Sequence, residues 1–170
     1  MLNTVYSLFV LYGRMSLLQI APQDGPASSQ IRNFLVANYF LVTWWSVLQF
    51  YPFGHAILLA ILDLVLLYLF VFALLKLSNK LERFAQTFNA LLGIGFLVSL
   101  LAAITAFLNR SFGLDAESAQ QPGIAAILLL FWIVAAYGHV IRHATEVRFA
   151  SGLLIAFGYL LFSAILIQSI

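Results

Sequence analysis

One carboxylate lies in the middle of a long apolar run, where an acid is costly. The run covers residues 54–76, GHAILLAILDLVLLYLFVFALLK, and Asp63 is near its centre. About 20 apolar residues suffice to cross a hydrocarbon core of roughly 30 Å. An acid at that depth costs on the order of 2.5–3.5 kcal/mol on insertion scales. We therefore expect Asp63 to have a polar partner or a hydrated cavity.

Three residues on other apolar runs are predicted at about the depth of Asp63, namely Thr43, Ser99 and Trp132. The role of Asp63 and of the polar residues at its depth has two interpretations. Asp63 is either a proton or cation site, or a protonated carboxyl that donates a hydrogen bond and holds helices together. The sequence shows no second acid or base at this depth, which favours the structural interpretation.

A second polar set is predicted in the cytoplasmic third of three runs. It consists of Asn38, Asn89 and His139. Such groups in lipid usually bond one another across helices, so we predict a contact between helices. The alternative is that they line a shallow cavity that faces inward.

Two histidines four residues apart share one face of a helix, as in a two-histidine metal arrangement. They are His139 and His143, with Glu146 nearby. A zinc site needs a third ligand at suitable range, and the zincin pattern with a Glu directly after the first His is missing. We therefore treat the two histidines as weak metal candidates and predict no metal.

Other catalytic patterns are missing from the sequence. It contains no GxSxG, P-loop or GxGxxG motif, no cysteine, and no pair of membrane-embedded acids. The sequence thus predicts a protein that is not an enzyme and that carries no cofactor.

The composition indicates a bilayer as the main solvent. Hydrophobic residues make up 64% of the chain and charged residues 8%, and the mean hydropathy is +1.03. Globular proteins carry roughly 25% charged residues. The eight basic residues are scattered and form no basic patch of the kind that binds nucleic acid. We therefore expect a compact all-α membrane domain and no nucleic-acid partner.

Five apolar runs predict five transmembrane helices at residues 31–50, 54–76, 84–108, 124–141 and 149–170. Residues 1–20 have polar positions at helical spacing, which is typical of an amphipathic helix in the interface plane. The alternative is that they are a leading segment of the first span. Residues 21–30, APQDGPASSQ, form a polar hinge before that span. The predicted fold is an all-α polytopic bundle with a preceding interfacial helix.

Small residues recur at a spacing of four on two of these runs. One set is Gly95, Ser99 and Ala103, and the other is Gly152 and Ala156. Small side chains on one face allow close approach of a neighbouring backbone, which is a main mode of helix association in lipid. These faces are predicted to point into the bundle.

The basic residues lie almost entirely on one side of the predicted topology. Seven lie on the side of the N-terminus and only Arg110 lies on the other; the seven are Arg14, Arg32, Lys76, Lys80, Arg83, Arg142 and Arg148. Because basic residues are retained on the cytoplasmic face, the N-terminus is predicted inside and the C-terminus outside, in a bacterial inner membrane.

Two stretches of the chain resemble the Yip family of Rab-GTPase-interacting membrane proteins and its bacterial relatives. RFAQTFNALLGIGFLVSLLAAI is similar to the third-span region of bacterial members, and PQDGPAS resembles the polar segment before their first span. The predicted order of five closely spaced spans is also similar. The resemblance implies a bundle without catalytic machinery that acts through partners in membrane organisation or trafficking.

The function predicted from the sequence is a non-enzymatic integral inner-membrane protein that scaffolds, stabilises or regulates a membrane protein assembly. Its expected partners are membrane lipid and other membrane proteins or a second copy of the chain. The alternative is a proton- or cation-coupled transporter or channel subunit that uses Asp63. A membrane enzyme acting on lipid has the support of only His139, His143 and Glu146.

Overall fold

A computed structural model describes residues 2–111 and 124–169, without the side chains of residues 2–4 and 109–111. This part of the chain is all-helical, which confirms the predicted fold class. Residues 112–123, which belong to the polar stretch between the predicted third and fourth spans, lie outside it. The α-helices are α1 (Leu2–Ser16), α2 (Ser29–Leu48), α3 (Phe53–Leu77), α4 (Phe84–Ser111), α5 (Ile124–Thr145) and α6 (Phe149–Gln168). Short 3-10 turns occupy Pro22–Asp24 and Leu81–Arg83.

Four of the helices, α3 to α6, are long and apolar enough to cross a membrane. The prediction of a helical integral membrane protein is confirmed at this level. The predicted count of five crossings is not confirmed, because α2 is not among the four. Polar residues such as Arg32, Asn33 and Asn38 lower the hydropathy of α2, although its length of 20 residues suits a span.

Helices α2 to α6 pack around one interior, with α2 along α4 and α5 along α6. The core lies mostly in the half of the bundle where α3 ends and α4 begins. Its fully buried aliphatic side chains include Leu67, Val71, Leu75, Leu91, Leu92, Ile94, Val140 and Ile141. The apolar side chains that remain exposed on α3, α5 and α6 suit contact with lipid.

Glycines set the distance between α5 and α6. A Cβ added at Gly152 would lie 2.5 Å from the carbonyl oxygen of Gly138, and one added at Gly138 would lie 2.8 Å from Leu153 Cδ2. Ala156, one turn further along α6, is fully buried. The predicted small face of α6 therefore packs on α5.

Gly95 provides space for two aromatic side chains in the bundle interior. A Cβ at this position would lie 2.6 Å from the ring of Tyr39 and 2.7 Å from the hydroxyl of Tyr137. Ala103, two turns further along α4, is fully buried. The predicted small face of α4 therefore points inward.

Helix α1 packs on the side of α4 and runs antiparallel to it. The ring of Tyr12 lies against Gly93, and the ring of Phe9 meets Phe96 edge-on at a centroid distance of 6.1 Å. The step of three residues back from Tyr12 to Phe9 corresponds to a step of three residues forward from Gly93 to Phe96. This order is that of an antiparallel helix pair. The predicted interfacial segment contains a helix that ends at Ser16. Its placement in the interface plane stays a prediction.

Candidate functional site: a polar cavity around Asp63

A cavity of about 230 Å³ lies inside the bundle, and each of the helices α2 to α6 lines it. Its polar lining consists of one carboxyl group and six hydroxyl groups, from Asp63, Tyr39, Thr43, Ser99, Tyr137, Tyr159 and Ser163. No lysine, arginine or histidine of the described residues lines it. The cavity therefore offers oxygen ligands and a single source of negative charge.

Among the described residues, Asp63 has one direct hydrogen-bond partner, the phenol of Tyr39 on α2. The Tyr39 hydroxyl donates a hydrogen bond of 2.5 Å to Asp63 Oδ2. This length is in the range of an O–H group that donates to a carboxylate. The bond joins α2 to α3 at mid-bundle, and it leaves the other lone pairs of the carboxylate free to accept.

The other tyrosines of the cavity are held by contacts outside it. Tyr137 donates to the carbonyl oxygen of Leu91 at 3.2 Å. Tyr159 stacks on Phe70 with a centroid distance of 4.1 Å. The rings of Tyr137 and Tyr159 are nearly parallel, 6.5 Å apart between centroids. The aromatic side of the cavity is thus positioned before any ligand binds.

Thr43 has a buried hydroxyl oxygen with no hydrogen-bond partner among the described residues. It lines the same cavity as Asp63. A buried polar group without a partner costs roughly 1–3 kcal/mol, so a water molecule or ligand at this position would lower the free energy. The Thr43 hydroxyl marks where an occupant of the cavity gains a contact.

The cavity extends from Asp63 toward only one end of the bundle. Val47 and Ile167, in the last turns of α2 and α6, line its far side. In the other direction from Asp63, the interior is filled by fully buried Leu67, Val71 and Leu91. An ion at Asp63 would therefore reach water through the end of the bundle where α2 and α6 terminate.

The structure brings two of the predicted neighbours, Thr43 and Ser99, to the cavity of Asp63. The third, Trp132, does not line the cavity, although its neighbour Ile133 does. The Trp132 indole N–H donates instead to the carbonyl oxygen of Ser16 at 2.9 Å. This carbonyl lies at the end of α1, where it has no helical partner. The depth of Trp132 along α5 does not reveal the partner of its side chain, because the indole turns toward α1.

Sequence reasoning missed Tyr39, the hydrogen-bond partner of Asp63. A signal was present, because Tyr39 and Asp63 are equally distant along the chain from Tyr51, in the turn between α2 and α3. In an antiparallel helix pair, residues equally distant from the turn lie at the same depth. Tyr137, Tyr159 and Ser163 carry no comparable signal, since Tyr is common at membrane interfaces.

The predicted contact among Asn38, Asn89 and His139 is not formed. Asn38 donates to the carbonyl oxygen of Phe34 in its own helix at 2.7 Å. Asn89 donates to Pro26 O at 2.9 Å, and His139 Nε2 lies 3.2 Å from Ile20 O. Asn89 and His139 therefore fasten the segment between α1 and α2 to α4 and α5. This segment has backbone carbonyls without helical partners, and these attract the two side chains.

Glu146 is not positioned as a third metal ligand beside the weak candidates His139 and His143. The rings of His139 and His143 meet at a centroid distance of 4.6 Å, whereas Glu146 forms ion pairs with Lys80 and with Arg83, the latter at 2.6 Å. These two cations hold the pKa of Glu146 below its usual range. Among the described residues, no three His, Cys, Asp or Glu side chains are grouped so as to hold a metal ion.

The fold and the cavity together define a helical membrane bundle with a polar interior. Comparison with protein-family models, with curated proteins and with solved structures gives no match to this chain.

Proposed function

We propose that this protein binds a proton or a small cation at Asp63 and moves it as a transporter or channel subunit. The observation that carries this proposal is the cavity, in which a carboxylate and six hydroxyls converge from five helices without a basic residue among the described lining. Ionisable residues inside a membrane typically mark ion or proton pathways. Carboxylate and hydroxyl oxygens are suitable ligands for a hard cation.

The hydrogen bond between Tyr39 and Asp63 gives this binding a mechanical consequence. An ionised Asp63 is a strong acceptor for the Tyr39 hydroxyl, because charge-assisted hydrogen bonds are about twice as strong as neutral ones. A proton or cation on Asp63 neutralises that charge and weakens the bond. Occupancy of the site thereby changes how firmly α2 is joined to α3.

The proposed topology has five crossings, and it is supported by contacts at both ends of α2. Asn89 on α4 binds Pro26 O before α2 begins, and Gln49 after α2 donates to Ala103 O on α4 at 3.2 Å. Residues 89 and 103 are separated by about 21 Å at 1.5 Å per residue. We propose that α2 crosses the membrane together with α4, with the N-terminus in the cytoplasm. The cavity then opens toward the outer face.

The predicted scaffold role and the Yip-family resemblance stay predictions. Small residues on a helix face can also allow close contact with a partner helix of another protein. In the structure, Gly95 accommodates Tyr39 and Tyr137, and Gly152 accommodates Gly138. These faces are used within the chain, so they no longer argue for a partner.

The test is ion flux in proteoliposomes that contain the purified protein. We expect the wild type to pass protons or monovalent cations under an applied pH gradient or membrane potential. Asp63→Asn should lower the flux by at least about tenfold, because an amide neither ionises nor releases a proton. Tyr39→Phe keeps the carboxylate but removes its partner, and should give an intermediate flux.

Glu82→Gln is the matched control, because Glu82 is an exposed acid outside the cavity. It should leave the flux unchanged, and circular dichroism should show equal helix content in all variants. A wild type without flux of any of these ions contradicts the proposal, as does an Asp63→Asn variant as active as the wild type.

A further inference from the structure

A second cavity, of about 570 Å³, lies at the opposite end of the bundle from the mouth of the Asp63 cavity. The hinge segment, the end of α5 and the start of α6 surround it. Its lining includes Asp24, His139, Arg142, His143 and Phe149. None of the residues that the structure describes lines both this cavity and the Asp63 cavity.

Two charges of opposite sign border this cavity without pairing with each other. Among the described residues, the side chains of Asp24 and Arg142 form no ion pair or hydrogen bond. His143 lies within electrostatic range of both. At the same end of the bundle, Glu146 by contrast is paired with Lys80 and Arg83. A cavity with separate positive and negative groups suits a zwitterionic ligand.

The backbone adds a second feature that favours a phosphate. Helix α6 begins at Phe149, on the cavity wall, and its N-cap residue Arg148 makes no side-chain capping bond. The first N–H groups of such a helix point outward, and the helix dipole favours an anion there. Arg142 and His143 approach the same wall from α5. The positive side of the cavity therefore has both side-chain and backbone donors.

In the proposed topology, this cavity lies at the depth of lipid headgroups. Arg142 and His143 occupy the last turn of α5, and Arg83 donates to the carbonyl oxygen of His143 at 3.1 Å. Leu18, on the same cavity wall, has a φ of 61° at the end of α1. This left-handed backbone is unfavourable for a residue with a Cβ. It directs the chain from α1 into the hinge and leaves Leu18 partly exposed beside the charged groups.

We propose that this cavity binds the headgroup of phosphatidylethanolamine. The phosphodiester is bound by Arg142, His143 and the N-terminus of α6, and the ammonium group is bound by Asp24. The acyl chains leave along the apolar side of the cavity at Leu18 and Phe149. This site is independent of Asp63 and does not require the transport proposed above.

Native mass spectrometry of the detergent-solubilised full chain tests the assignment, with synthetic phosphatidylethanolamine and phosphatidylglycerol in equal amounts. We expect the wild type to retain phosphatidylethanolamine preferentially. Asp24→Asn should remove the preference between the two lipids. Arg142→Gln should weaken retention of both by roughly tenfold, because it removes a charge-assisted contact to phosphate. Arg142→Lys keeps the charge and should recover part of the binding in a folded protein.

Lys76→Gln is the matched control, because Lys76 is an exposed basic residue at the end of α3 that does not line the cavity. It should bind both lipids as the wild type does. Equal retention of the two lipids by the wild type, or tighter binding of phosphatidylglycerol, contradicts the proposal. Displacement of the lipid by an equal concentration of free phosphoethanolamine would also overturn it, since a soluble zwitterion would then be the ligand.

Discussion

Asp63 shows how a membrane-embedded acid is only partly satisfied by the protein. A carboxylate has about four lone-pair sites, and the Tyr39 hydroxyl occupies one of them. The remaining acceptor capacity faces a cavity that also contains the Thr43 hydroxyl oxygen, which has no partner in the described part of the chain. A purely structural acid would be expected to have its partners supplied by neighbouring helices. The unfilled capacity is the physical reason to assign Asp63 a ligand.

Glu146 permits a prediction about pH at the scale of single residues. Hydrogen bonds and ion pairs with Lys80 and Arg83 lower the pKa of this exposed carboxyl group. A lowered pKa in the folded state means that the stabilising contribution is present above the ordinary glutamate pKa of about 4.3. It is lost as the pH falls below that value and through the folded-state pKa. We expect the stability of Glu146→Gln to fall less than that of the wild type as the pH is lowered, because the variant has no carboxylate to protonate at this position.

The measurement is the thermal unfolding midpoint in detergent as the pH falls from neutral. The difference between wild type and Glu146→Gln should shrink as the glutamate becomes protonated. Glu82→Gln serves as a control because Glu82 forms no ion pair with the described residues. Parallel curves for wild type and Glu146→Gln across the acid range would show that the ion pairs contribute no stability.

The contact between α5 and α6 depends on the absence of side chains at Gly138 and Gly152. The added Cβ at Gly152 would meet the backbone oxygen of Gly138, which cannot rotate away. By contrast, Gly158 in the same helix has no atom within 4 Å of an added Cβ. The two glycines of α6 therefore have different physical roles despite equal helix propensity.

Gly152→Ala should lower the free energy of unfolding by about 1–3 kcal/mol, because α6 must move away from α5. Gly158→Ala should be neutral or stabilising by roughly 0.5–1 kcal/mol, since alanine favours a helix over glycine. Unfolding of the two variants in a mild detergent with increasing denaturant compares them directly. Equal stability of the two variants would mean that α5 and α6 do not pack as closely as described.

At the scale of the whole molecule, the cavity depends on all of the helices α2 to α6. Each of these helices contributes at least one polar side chain to the lining. Of the five, α2 is the one that does not reach the hydropathy of a membrane span. The residues that lower the hydropathy of α2, such as Arg32, Asn33 and Asn38, lie outside the cavity lining. The low hydropathy of α2 and its polar contribution to the cavity therefore come from different residues.

The proposed topology predicts opposite locations for two reporters. A fusion after the C-terminus should report an outside location, because five crossings separate it from a cytoplasmic N-terminus. A reporter inserted at Asn79, between α3 and α4, should report the cytoplasm, where Lys76, Lys80 and Arg83 are retained. Both reporters in the cytoplasm would contradict three crossings by α4, α5 and α6. Of the proposed crossings, only α2 and α3 lie between the N-terminus and Asn79, so a reporter before the N-terminus on the side opposite to Asn79 would remove α2 from the membrane.

The amino-acid sequence by itself determined the helices and the centre of the site. Helix bounds lie within four residues of the predicted spans, because the length of an apolar run is a local property of the chain. Asp63, Thr43 and Ser99 could be placed at one depth by counting residues along each run. The depth of a residue along its helix depends only on its position in the run, so counting residues is enough to estimate it.

Only the tertiary structure decided which groups meet. It paired Asp63 with Tyr39, added Tyr137 and Tyr159 to the cavity, and turned Trp132 toward the end of α1. Asn89 and His139 bind the segment between α1 and α2, whose path the sequence does not reveal. These contacts depend on the rotation of each helix about its axis and on the distance between axes. Both result from the packing of the whole bundle, which no single run of residues encodes.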